Sequence, residues 1–463
     1  MALPYHGRNQ AAAFPVPIRS PVVREVQELA RLGGPLVVTQ VSQVGMAVTD
    51  TIMAGRLSPL DLAAVALGSS LFTPVYLACV GILLALSPSV AHLTGARREQ
   101  DIGPLFRQGL WLALLLAVLA TPAVVWTAAL MPLFGVAADM QPLTGDYLAA
   151  FAWGMPAVCV YLAARYVSEG RGFTRPVMYI QLLALVLNGL GNWVLMFGKL
   201  GFPALGAEGA GWSSAIVLWV DAALMLTILH RHPRFRHLAL LRRPERPEIA
   251  ALWRLLRLGV PIGATIVMEV GLFSAVALFM GRFGTVAVAA HQVAINYAAM
   301  MFMIPLGLSL AITVRVGHAA GAGDRAGERL AGLVGMGMGL AVMSVSALVM
   351  VLAPRFIIGL YTADAAVLGL AVGLLQMAAL FQLSDGLQVS AMGALRGLKD
   401  TTWPMIANLL AYWGVGLPLG WYLGFGAGLG PRGLWLGLVG GLTVAAVLLA
   451  ARFLWQTRRG AIQ

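Results

Sequence analysis

The sequence predicts an all-α membrane protein of twelve transmembrane helices in two pseudo-twofold-related six-helix bundles, and three observations carry that prediction. The first is composition. Of 463 residues, 59% are hydrophobic and 11% charged, at a mean hydropathy of +0.83, whereas a soluble chain carries roughly 25% charged residues. The second is run length. Apolar stretches recur at about twenty residues or more, the length that crosses a ~30 Å hydrocarbon core, and in lipid such runs must be helical because backbone polar groups find no water. The third is an internal repeat. Residues 31–96 slide onto 257–322 without a gap, at a constant offset of 226, and nineteen of sixty-six pairs are identical, against roughly six expected by chance for this composition.

Hydropathy places the spans at 32–55, 62–90, 108–133, 146–166, 176–198, 208–230, 254–281, 285–313, 329–353, 366–394, 404–425 and 433–456. This gives an N-terminal segment 1–31, an N-lobe 32–230, a basic linker 231–253, a C-lobe 254–456 and a tail 457–463. The net charge of +12 is a topology signal rather than a nucleic-acid face. The termini and the loops on their side hold 26 of the 31 Lys and Arg residues, and the other side holds Arg56, Lys199, Arg282, Arg355 and Arg432. By the positive-inside rule both termini are expected in the cytoplasm. Six spans return the chain to the same side, so the halves are parallel repeats, an arrangement that rocks about a shared central cavity. No filter-like loop between spans is visible, which favours a transporter over a channel.

Several classes are set aside. There is no Walker A loop, no Ser–His–Asp set and no metal motif on a loop, so no enzyme activity is expected. Cys79 and Cys159 both fall inside spans without ligand or disulfide spacing and read as apolar filler. Residues 1–30 lack an apolar h-region with a cleavage site, so the first span itself is expected to target the chain.

The informative residues are acids at membrane depth: Asp50, Asp221, Glu269 and Asp385. Each costs on the order of 2.5–3.5 kcal/mol at a helix centre on insertion scales. Arg165, Arg315 and Arg396 are placed at cytoplasmic helix ends, so no Lys or Arg is expected at mid-depth to neutralise these acids. That leaves protonation, a bound metal ion or a cationic substrate. Asn188 and Asn192, at i and i+4, share one helix face and with Asp50 could hold a proton or a hard cation, or could serve as interhelical glue worth about 0.6 kcal/mol. Glu269 lies halfway along the seventh span and pairs with Gln43 across the repeat; Asp385 lies in the tenth. Asp221 has no repeat partner and reads as structural, and His291 as an ordinary satisfied histidine. Pro35 and Pro261, equivalent by the repeat, are either bends or helix-start prolines.

Four stretches resemble the multidrug and toxic compound extrusion (MATE) family in its NorM-type bacterial branch: AVTDTIMAGRLSPLDLAAVALGSS at 47–70, LNGLGNWVLMFG at 187–198, VAAHQVAINYAAMMFMIPLGLSLAITVRVGHAAGAG at 288–323 and FQLSDGLQVSAMGALRGLKDT at 381–401. The resemblance spans residues 31–456. It implies a V-shaped pair of lobes and export of amphipathic, mostly cationic drugs across the bacterial inner membrane. It also implies Na⁺ or H⁺ antiport (sodium by branch), no tightly bound cofactor and a monomer. By position, Glu269 and Asp385 match the family's C-lobe cation site, the Na⁺ ligands if coupling is to sodium. Phe381 stands where some relatives have Tyr, which leaves a cation–π role but no ligand oxygen. Asp50, Asn188 and Asn192 match an N-lobe site used by proton-coupled members. Asp50, Gln292 and Asp364 fall where relatives contact drug. A lipid-precursor flippase is the rival reading. It would want a cationic cavity for phosphates, and the interior expected here is acidic.

Overall fold

Helices account for all the regular structure among the described residues, 20–241 and 245–459 of a computed structural model. Residues 1–19 of the N-terminal segment, 242–244 of the linker and 460–463 of the tail lie outside them. Twelve long helical elements follow one another: α1 (Pro21–Leu57), α2 (Pro59–Leu83, continued by Leu86–Gly95), α3 (Ile102–Thr127), α4 (Met140–Ala152, continued by Met155–Gly170), α5 (Arg175–Leu195) and α6 (Gly206–Arg231) form the first set. The second comprises α7 (Ile249–Met280), α8 (Thr285–Gly321), α9 (Arg325–Leu352), α10 (Ala365–Gly397), α11 (Thr402–Leu409, running on through Leu410–Gly416, Leu417–Trp421 and Tyr422–Gly426) and α12 (Pro431–Arg459). Nine described helices are long and apolar enough to cross a membrane, and the two parts of α4, bent by 44°, make a tenth. The remaining two differ for visible reasons. α1 carries Gln40, Ser42, Gln43 and Asp50 along its length, and α11 is interrupted by π-helical stretches.

α1 starts at Pro21, eleven residues before the hydropathy boundary. Ser20 caps it, its Oγ accepting from the Val23 amide at 3.3 Å, and Pro21 at the first turn has no amide to leave unpaired. The added turns are polar, so hydropathy does not register them. They reach the other half of the chain, where Arg315 of α8 donates twice to the Glu25 carboxylate, at 2.8 and 2.6 Å. Pro35 and Pro261 both lie inside their helices rather than at helix starts. One turn on, the Thr39 and Thr265 hydroxyls bond back to the Pro35 and Pro261 carbonyls at 2.9 and 2.8 Å, the same device at equivalent positions of the repeat.

An even number of crossings puts both described termini at one end, the terminal end. There the two halves meet. α1 packs along α8, and α2 along α7, with the last turns of α2 also against α8. Glycines at matched positions permit this approach. A Cβ on Gly307 of α8 would lie 2.6 Å from the Val37 amide nitrogen, and one on Gly81 of α2 would overlap Gly263 of α7. A Cβ on Gly95 would overlap the His318 carbonyl, and one on Gly321 the His92 carbonyl. The same two histidines cross the seam: His92 Nε2 lies 2.7 Å from the Gly397 carbonyl and His318 Nε2 2.8 Å from the Gly170 carbonyl. Each thus meets the last turn of a helix in the opposite half, where carbonyls lack intrahelical partners.

The apolar cores follow this pattern. One runs through the first half of the chain and continues into the terminal-end parts of α8, α9, α10 and α12, through residues such as Leu308, Ile312, Ala394 and Phe453. The second, around Leu272, Phe381 and Trp435, lies within the far part of the second half. The halves are fused at the terminal end and keep separate cores beyond it.

Overpacking a close approach costs typically ~1–3 kcal/mol. Gly95→Val and Gly321→Val are therefore expected to depopulate the closed seam by about tenfold, while Gly34→Ala, with nothing within 4 Å of its Cβ, leaves it intact. Spin-label distances across the terminal end check this, with longer separations expected in the two valine variants alone.

Candidate functional site: an interlobe cavity with two carboxylates

Beyond the seam the two halves enclose a cavity of about 480 Å³, lined from both sides. Helical spacing sets its walls. On α7, Ile266, Glu269, Val270 and Phe273 recur every three or four residues on one face, and on α10 so do Phe381, Asp385, Val389, Met392 and Arg396. The first half contributes Gln40 and Gln43 of α1, Tyr76 of α2 and Arg165 and Tyr166 of α4. The repeat equivalents Gln43 and Glu269 thus share the cavity, an amide on one side and a carboxylate on the other.

Asp385 is 3% exposed, and its Oδ1 has no hydrogen-bond partner among the described residues. Glu269 is less covered and lies within electrostatic reach of Asp385. Phe381, one turn before Asp385, packs edge-on between Phe273 and Trp435, at ring separations of 5.8 and 5.9 Å. The hydroxyl this position lacks has a counterpart that sequence reading missed. Tyr412 of α11 is fully buried, its hydroxyl is unpartnered among the described residues, and Glu269 and Asp385 both bear on it electrostatically. It sits in the π-helical stretch Leu410–Gly416, a distortion frequent at functional sites, which no residue spacing announces.

A second polar cluster lies apart from the cavity. Asn192 Nδ2 of α5 donates to Asp50 Oδ1 of α1 at 2.6 Å, with Asn188 beside the same carboxylate. The Oδ1 atoms of Asn188 and Asn192 are buried without partners among the described residues. The structure therefore brings Glu269, Asp385 and Phe381 together in one place, and Asp50, Asn188 and Asn192 in another. Gln292 is exposed and donates to Asn296 at 3.0 Å. Asp364 is also exposed and caps α10, its Oδ1 accepting from the Ala366 and Val367 amides at 2.8 and 3.1 Å. Neither residue lines the cavity.

Arg165 and Arg396 stand near helix ends, as expected, yet both line the cavity that holds the acids. Arg165 is 3% and Arg396 4% exposed. Arg165 Nε donates to Glu169 at 2.6 Å and its Nη2 to Gln40 at 3.1 Å, so Glu169, 0% exposed, joins the buried acids. The i, i+4 spacing of Arg165 and Glu169 was the available signal. Both lie near a helix end, where hydropathy alone reads charge as water-facing. Asp221, buried on α6, is within electrostatic reach of Arg165. A larger cavity, about 710 Å³, opens on the terminal face. Four of its charges pair as Arg98–Asp101 and Arg254–Glu248, and Asp400 is bonded to Arg452.

The fold has counterparts among known proteins. The family model described as MatE matches residues 35–194 and 261–422. The chain is 46% identical over 435 residues to the "Probable multidrug resistance protein NorM" of Xanthomonas campestris pv. campestris, covering 94% of this chain and 95% of that protein. The chain belongs to the MATE family. Another relative is the "Multidrug resistance protein PmpM" of Pseudomonas aeruginosa, 42% identical over 94% of this chain and 92% of that one. Among solved structures, an outward-facing MATE family transporter of the MOP superfamily superposes with a TM-score of 0.85 at 21% identity, covering 95% and 97% of the two chains. The eukaryotic MATE transporter AtDTX14 does so with 0.84 at 20%, covering 95% and 98%. The twelve-helix fold of this MATE-family chain is shared with both.

Removing one member of a buried ion pair strands the other at a cost of about 3–5 kcal/mol. Arg165→Leu is expected to lower the melting temperature of the purified protein sharply. Arg165→Leu combined with Glu169→Leu should recover most of the loss. Equal melting temperatures for wild type and Arg165→Leu would contradict the pairing.

Proposed function

We propose that this MATE-family chain is a cation-coupled antiporter that exports amphipathic, mostly cationic drugs across the bacterial inner membrane by alternating access. The observation that carries the reading is the placement of Glu269 and Asp385 on facing helices of a mostly apolar cavity between lobes that touch at one end. A hydrophobic body and a positive group on one molecule suit that cavity. The positive-inside distribution of Lys and Arg supports placing the terminal end in the cytoplasm, and the cavity then lies on the outer side of the closed seam. The names of the relatives support multidrug efflux.

Antiport follows from competition. Na⁺ or H⁺ taken up by Glu269 and Asp385 cancels the charge that holds a cationic drug, and the drug leaves outward. The arginines strengthen this effect. With Arg165 committed to Glu169, neutralising the two cavity acids leaves Arg396 as an uncompensated positive charge facing the departing cation. Loss of the ion restores affinity on the inner side. Coupling requires that ion and drug bind the two lobe arrangements with different affinities. The Phe381, Trp435 and Phe273 rings give the acids an apolar surround that excludes water and sharpens the exchange. For sodium, Glu269 and Asp385 supply hard oxygen donors of the kind Na⁺ takes, and both act electrostatically on the buried Tyr412 hydroxyl. Asp50 with Asn188 and Asn192 forms the alternative site, and the buried Asn188 and Asn192 Oδ1 atoms, without partners among the described residues, are acceptors for a protonated Asp50, which supports a proton-coupled role for it. The flippase reading wants a cationic cavity for phosphates; here Glu169 holds Arg165 and Arg396 stands against both Glu269 and Asp385, so it is not favoured. A monomer with no resident cofactor is the working state.

Ethidium efflux from loaded proteoliposomes tests the reading. Asp385→Asn is expected to lower it by about tenfold, within the range typical of coupling energies. Unchanged efflux in that variant would overturn the site. At fixed pH, collapsing the Na⁺ gradient should stop efflux if sodium is the ion and leave it intact if the proton is.

A further inference from the structure

The acids of the cavity have a counterpart that the antiport reading does not use as a binding group. Arg396 lies near the end of α10, 4% exposed, and it lines the cavity. Among the described residues it makes no ion pair and its Nη1 has no hydrogen-bond partner. Glu269 bears on it electrostatically without contact. A buried, unpaired guanidinium is costly, and it presents a planar fork of donors suited to a carboxylate or phosphate. Arg165 cannot share that role, because Glu169 already holds it.

The geometry places Arg396 at a fixed distance from the acids. It follows Asp385 by eleven residues on the same face, roughly 16 Å along the axis at about 1.5 Å per residue. A helical side chain leans toward the N-terminus of its helix, so Arg396 reaches back toward Asp385 and shortens the gap. Between the two the wall is apolar, through Val389 and Met392.

We infer that Arg396 is an anion-binding subsite at the seam end of the cavity, and that the cargo it selects is an apolar molecule with a basic group for Glu269 and Asp385 and a carboxylate or phosphate for Arg396. The inference rests on the antiport reading for the basic group alone. An elongated soluble molecule with an amine at one end and a carboxylate at the other carries this chemistry, as does a lipid whose phosphate meets Arg396, and the test separates these sources.

The probe is an aromatic amine bearing a carboxylate, compared with its methyl ester, both binding to purified protein in lipid-free nonionic detergent. The acid is expected to bind about tenfold more tightly than the ester, as one charge-assisted contact provides. Arg396→Gln should bring that ratio to near one by weakening the acid and not the ester, and Arg396→Lys should keep most of it. Equal affinities of acid and ester in the wild type, which need no variant to fold, would overturn the subsite. So would a ratio that survives in Arg396→Gln, or an equal loss of both ligands there. A ratio erased by added phospholipid assigns the anion to a headgroup, and one that persists assigns it to soluble cargo; both support Arg396 as the anion's partner. If ester efflux fails in wild-type proteoliposomes while the ratio holds, the antiport reading falls and the subsite stands.

Discussion

The contact on which the rest of the structure depends is the glycine-lined seam at the terminal end. Helices approach this closely only where a side chain is missing, because helix axes otherwise stand 8–10 Å apart at a spacing set by the side chains between them. Gly95 and Gly321 remove that side chain where each meets a histidine backbone of the other half, and Gly81 and Gly307 do the same one level further in. His92 and His318 then reach across to the Gly397 and Gly170 carbonyls. Because the closest approaches lie at one end, the far ends of the lobes keep separate cores, and the space between becomes a cavity rather than a packed interior.

That arrangement explains how so polar a set of side chains can sit among apolar helices. Glu269, Asp385, Arg165 and Arg396 face a shared space instead of lipid, where ionisable groups at membrane depth are tolerated. The scaffold is symmetric and the charges are not. Gln43 stands opposite Glu269 in the repeat, and Val276 opposite Asp50. The first half supplies a neutralised pair, Arg165–Glu169, and the second supplies carboxylates that lack partners. In the proposed antiport, a cation entering the cavity meets carboxylates on one lobe only, and its binding there biases how the lobes sit.

The sequence made the helices, the repeat and the acids legible, and the seam explains why the repeat was so clear. Identities such as His92 with His318, Gly95 with Gly321 and Gly81 with Gly307 are positions where the two halves touch. Contact across a pseudo-twofold axis places the same steric demand on both partners. Depth was less legible. Hydropathy located Arg165 and Arg396 at helix ends, which they are, but could not show that those ends turn into a cavity. The polar start of α1 was missed because its turns carry charge that pairs with Arg315 rather than apolar surface. Tyr412 was missed because a π-helical stretch changes which residues face inward. Asp364, assigned by position to the cargo path, lies outside the cavity and caps α10 through its Oδ1 alone.

The central claim is that this seam opens and closes in each transport cycle. A Cβ on Gly33 of α1 would lie 3.6 Å from the Ala311 Cβ of α8 across it, within the Cβ separation a disulfide spans, so cysteines placed at 33 and 311, with Cys79 and Cys159 replaced, should form a disulfide under mild oxidation. The account predicts that ethidium efflux stops on oxidation and returns on reduction, while each single cysteine variant is unaffected by either treatment. Efflux that continues at the wild-type rate with the cross-link fully formed would contradict it.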